Sequence, residues 1–246
     1  IEPMVPLDLL SDRMVSAVAG TGLLVGVAMF SAISYVPLLV QEGLGGTAVE
    51  AGRALTPLIL GWVVMSAVTG RLVLHVSYRP MVLAGLTFVT LAFYGLTRVD
   101  AGNFLWSLRV VLVVMGMGMG MTVLSLVLAM QNVVARRHLG VATSFGQFTR
   151  SIGGAIGVAV CGAVIAGGLP SGNDPTATDM VAAIHRAFWF TTIVSGLAIL
   201  AATRIPGGRA TDLVHSDHAP RESALTTGTQ EVSVDRLAHG AAIPKD

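Results

Sequence analysis

Four polar side chains in one stretch share a helical face. In LGVATSFGQFTRSIGGAIGVAVCGAVIAGG, residues 139–168, Thr143, Gln147, Arg150 and Ser151 fall at i, i+4, i+7 and i+8. A guanidinium among an amide and hydroxyls suits water, a carboxylate or carbonyls. It cannot shuttle protons, because arginine stays charged up to about pH 12. The second half of the stretch is free of charge and places Gly153, Gly154, Gly157 and Gly162 among Ala, Val and Ile. A helix with both features fits a membrane span beside a water-accessible cavity, where polar groups face protein or water and small residues allow close packing.

Arg150 lies about 11 residues into the stretch, roughly 16 Å along a helix. An unpaired cation at that depth costs about 2.5–3.5 kcal/mol on insertion scales. Two readings follow. Arg150 faces a cavity or latches to another bundle, or the helix starts late and Arg150 snorkels to the interface. Gln147 and Thr143 either join it at the cavity or bond neighbouring helices.

Other candidates are weaker. Met115, Met117, Met119 and Met121 in the run MGMGMGM offer a soft, adaptable surface, and Met115 and Met119 are the substrate-cavity candidates; the alternative is lipid contact or packing. Gly116 and Gly120, like Gly153 and Gly157, are expected to permit close helix crossing. No strand precedes the run, so a nucleotide-binding reading fails. Gly70, Arg71 and Arg79 form a short basic loop, either a latch favouring one access state or a simple topology signal. Arg109 is expected as an interfacial anchor and Cys161 as a small packing residue. With no metal cluster, nucleophile elbow or carboxylate pair, no cofactor, bound metal or enzymatic activity is expected.

Of the 246 residues, 53% are hydrophobic and only 12% charged. Globular domains carry about 25% charged residues, so a soluble protein is excluded. A net charge of +1 gives no reason to expect nucleic acid. The sequence begins at Ile1 and has no basic leader, and a fragment or processed product is expected.

Six apolar runs stand out, at about residues 14–40, 51–74, 80–96, 104–130, 139–168 and 180–203, each long enough to cross a bilayer. The expected fold is all-α: a six-helix transmembrane bundle after an approach segment, 1–13, and before a largely disordered cytoplasmic tail, 204–246. Gly22 and Gly26 read as a small-residue packing pair, and Pro37 should bend or end the first helix. One set of loops and ends carries Arg13, Arg71, Arg79, Arg136, Arg137 and Arg204; the other carries Arg53, Arg98, Arg109 and Arg186 with five acids. The positive-inside rule makes the first set cytoplasmic, so both termini are expected inside.

The sequence resembles half of a major facilitator transporter. Tyr35 to Gln41, Ala51-Gly52 and Leu55-Thr56-Pro57 are similar to the first helix pair in the C-terminal half of fourteen-helix drug:proton antiporters of the EmrB/QacA type. Gly70-Arg71-Leu72 to Tyr78-Arg79 resembles the loop between the second and third helices of each half. Gly116 to Gly120, Gln131, and Ala142-Thr143-Ser144 to Gly154 resemble later helices. The resemblance covers about residues 1 to 203 and implies a plasma-membrane exporter of amphipathic, often cationic, small molecules. It also implies that the proton-carrying acid lies in an N-terminal half not included here. The residues agree: no Asp or Glu lies between Asp100 and Asp174. Such a half is expected to be inactive alone. The competing expectation is a non-transporting membrane protein that binds a partner.

Overall fold

The computed structural model describes residues 13–43, 45–73, 75–99, 104–134, 139–170 and 176–205. The approach segment before Arg13, the Arg136–Arg137 loop and the tail beyond Ile205 lie outside the described residues.

The described chain is a bundle of six membrane-length spans. Helix α1 is Arg13–Leu38 and passes into a π-helical turn, Leu39–Gly43. The second span has two pieces, α2 (Ala48–Ala54) and α3 (Thr56–Leu72). Then come α4 (Tyr78–Leu96), α5 (Phe104–Val133), α6 (Leu139–Gly168) and α7 (Ala177–Ala202).

Differences from the sequence reading lie at the ends and have local causes. Pro37 lies one residue before the regular α-helix of α1 stops, as expected, but the span continues beyond it. The proline lacks the amide that would bond residue 33, and the chain widens into the π-turn just beyond it. The second span breaks at Leu55 because Pro57 cannot continue the ladder back to Arg53. Pro80 is the third residue of α4 rather than its first, still within the turn whose amides need no helical partner. Helix α7 starts at Ala177 because Thr176 and Asp179 form a capping box. Its two backbone bonds are 3.1 and 3.3 Å long.

Helix pairing is set by glycines. A Cβ on Gly26 of α1 would overlap the carbonyl oxygen of Arg150 on α6, and one on Gly153 would overlap that of Leu23. Gly154 and Gly157 face Phe30 and Val27. On α5, Gly116 and Gly120 meet the backbone of Leu58 and Trp62 on α3, whereas Gly118 meets Gly85 and Val89 on α4. The run MGMGMGM thus sits between two helices and presents glycine to both. Helix α7 closes the bundle against α1, α4 and α6.

The outside of the bundle is apolar. Ile59, Leu60, Val63, Val64 and Val68 of α3 are exposed, as are Trp189, Ile193, Leu197 and Leu200 of α7. Facing water, each would forgo about 1.5–3 kcal/mol of burial, on the order of 10 kcal/mol for α3 alone. Hydrocarbon removes that penalty, and the protein is a multi-pass membrane protein.

Candidate functional site

Helix α6 brings Thr143, Gln147 and Arg150 to one side, as its spacing requires. Together with α1 and α5 it borders a cavity of about 70 Å³. The polar rim is Thr143, Gln147 and Arg150; Val18 and Gly22 of α1 and Leu126, Val127 and Met130 of α5 form an apolar wall. Drug-sized sites run to about 300–1,000 Å³. This space holds a few waters or one small polar group.

Arg150 is partly buried. Its Nη2 donates to Gln147 Oε1, while its buried Nε has no hydrogen-bond partner among the described residues. The Thr143 hydroxyl donates to the Leu139 carbonyl at 2.8 Å and accepts from Gln131 Nε2 of α5 at 3.5 Å. Thr143, Ser144, Gln147 and Ser151 are exposed, so the polar stripe opens outward from the bundle. Among the described residues the carboxylates are Glu42, Glu50 and Asp179, all at the opposite end of the spans from the start of α6.

Met115 and Met119 are not brought to this cavity. They are buried to 0% and 1% exposure. The glycines between them fix the rotation of α5 against α3 and α4, which turns both methionines into the bundle. Met130, which sequence reasoning missed, lines the cavity instead. Its one signal was its place beside Gln131 at the polar end of α5. Gly22 was read as a packing residue, yet a Cβ there meets nothing within 4 Å. It leaves room at the cavity wall, and only Gly26 makes the close crossing.

The remaining candidates lie elsewhere. Gly70 and Arg71, at the end of α3, and Arg79, at the start of α4, are exposed. Arg109 is exposed in the second turn of α5. At that same end of the bundle Arg98 lies 5.3 Å from the Tyr94 ring centroid and donates to its hydroxyl, and Tyr94 meets Trp189 edge-on. Cys161 is buried where α1, α6 and α7 meet, 3.5 Å from Ser31 Oγ and 3.6 Å from Thr191 Oγ1. Nearby, the Tyr35 hydroxyl of α1 donates to the Val158 carbonyl of α6 at 2.6 Å. No group of three or more His, Cys, Asp or Glu able to hold a metal occurs among the described residues.

Comparison with known proteins adds a family profile described as Major Facilitator Superfamily, matching residues 3–158. The chain is 32% identical over 164 residues to a multidrug transporter protein of Bacillus subtilis, covering 67% of this chain and 30% of that protein. It is 26% identical over 160 residues to a tetracycline resistance determinant of Streptomyces rimosus, covering 65% of this chain and 46% of the relative. It is 25% identical over 166 residues to a methylenomycin A resistance protein of B. subtilis, covering 66% of this chain and 35% of the relative. The chain therefore spans well under two thirds of the length of these relatives.

Proposed function

From the premise that this chain belongs to the Major Facilitator Superfamily and is thus part of a membrane transporter of small molecules, we propose that it forms the C-terminal half of a proton-coupled multidrug exporter. The carrying observation is the outward-opening polar stripe of α6. Thr143, Gln147 and Ser151 are exposed beside a cation, on a span that would otherwise meet lipid. The cavity behind them is too small for a drug, so a second surface is needed to complete a path. Span α6 is less covered than α1, α4, α5 and α7. Two bundles meeting there would enclose a midplane site and rock about it.

In this reading Arg150, Gln147 and Thr143 belong to the transport path, and Met115 and Met119 support it by packing. The Gly70–Arg71 turn and Arg79 act as a latch for one access state. The proton carrier is a carboxylate of the other bundle, because the carboxylates of the described spans sit at helix ends. The fourteen-helix antiporter type, the plasma membrane and cytoplasmic termini complete the proposal; the basic loops support the orientation.

The first test is an immunoblot of source cells. A product well above 25.4 kDa is expected; a product of 25.4 kDa alone would sink the two-bundle reading. Everted vesicles with the native-length protein should then take up amphipathic drugs in step with proton release. Drug uptake unaffected by collapsing the pH gradient would remove proton coupling.

A further inference from the structure

The hydrogen-bonding groups of the Arg150 cavity are unbalanced. Guanidinium has five N–H donors and no acceptor. Because Arg150 can only donate, Gln147 must turn its oxygen toward Nη2, and its amide N–H groups are left facing away as further donors. The Thr143 proton is taken by Leu139 and its oxygen by Gln131. Arg150 Nε is buried without an acceptor among the described residues, a costly state. No acid on α5 or α6 supplies the countercharge, since none occurs between Asp100 and Asp174.

We propose that the Arg150–Gln147 pair receives an anionic oxygen of the transported compound, a carboxylate or phenolate, and that this wall discriminates against cations. The inference rests on the small-molecule transport reading above. Among the described residues Arg150 is held by a neutral amide of its own helix rather than by an acid, which leaves its charge available to a transient partner. The oxygen enters this small space on its polar side, where guanidinium can grip it through two N–H groups. The wall of Val18, Leu126 and Met130 excludes water around the bound oxygen, and the hydrocarbon body of the compound, too large for this space, stays on the exposed side of α6. A cationic drug would meet like charge here.

The test uses the native-length protein in phosphatidylcholine nanodiscs at pH 7, with radiolabelled 2-naphthoate and 2-naphthylmethylammonium as a size-matched pair. Naphthoate is expected to bind about tenfold or more tightly, the worth of one charge-assisted hydrogen bond. Arg150→Gln should abolish the preference, and Arg150→Lys should keep part of it. Equal or reversed affinities in the unaltered protein overturn the inference, as does a preference that survives Arg150→Gln. The affinity ratio in the unaltered protein decides the matter even where Arg150→Gln fails to fold. A protein carboxylate already seated on Arg150 would give equal affinities. Equal binding of both compounds would leave the transport reading standing, whereas binding of neither would sink both.

Discussion

At the residue scale, glycines and the hydroxyls of Ser31 and Tyr35 hold α1 to α6. Lipid tails are as apolar as the helix faces, so association depends on packing and interhelical hydrogen bonds. Gly26 and Gly22 lie one turn apart with opposite surroundings, which makes a matched pair. Gly26→Ala should destabilise by about 1–3 kcal/mol, because the new methyl overlaps the Arg150 carbonyl. Gly22→Ala meets nothing and should be neutral or gain up to about 1 kcal/mol of helix propensity. Thermal unfolding in detergent distinguishes them; equal melting temperatures would show that the crossing is looser than described. Tyr35→Phe removes the bond to the Val158 carbonyl and should lower stability by about 0.5–1.5 kcal/mol in the same assay.

At the element scale, the ends of the spans are set by a few residues rather than by where hydrophobicity stops. The Thr47/Glu50 and Thr176/Asp179 boxes each satisfy amides that a helix start leaves open. Gly45, at φ +64°, turns the chain between the π-turn and α2, a conformation costly for other residues. Thr176→Ala should cost about 1 kcal/mol, with amide exchange accelerated in the first turn of α7 and unchanged at its centre. Uniform acceleration along α7 would mean that the cap acts on the whole bundle instead.

At the scale of the whole molecule, two kinds of exposed face coexist. The α7 face bearing Ile193 and Leu197 suits hydrocarbon, and the α6 stripe bearing Ser144 and Ser151 suits water, although exposed Phe148 and Ile152 border it. Cysteines at Ser144 and Ser151 should react with a membrane-impermeant maleimide, whereas cysteines at Ile193 and Leu197 should not. The native Cys161 is fully buried and should give a silent background. Labelling at Leu197 with protection at Ser151 would reverse the assignment of the two faces.

The sequence by itself determined the six spans, the helical class and the shared face of Thr143, Gln147 and Arg150. These depend on length, composition and local period, which the chain carries without reference to its neighbours. Only the tertiary structure decided which small and soft residues face what. Gly22 and Gly26, or Met119 and Met130, read alike in a sequence, because a membrane helix is apolar toward both lipid and core and offers little contrast to tell inside from outside. The rotation of each helix is set by where glycine lets a neighbouring backbone approach, as Gly116, Gly118 and Gly120 do for α5. Such approaches join residues far apart in the chain, so the cavity beside Arg150 became visible only when α1, α5 and α6 were in place.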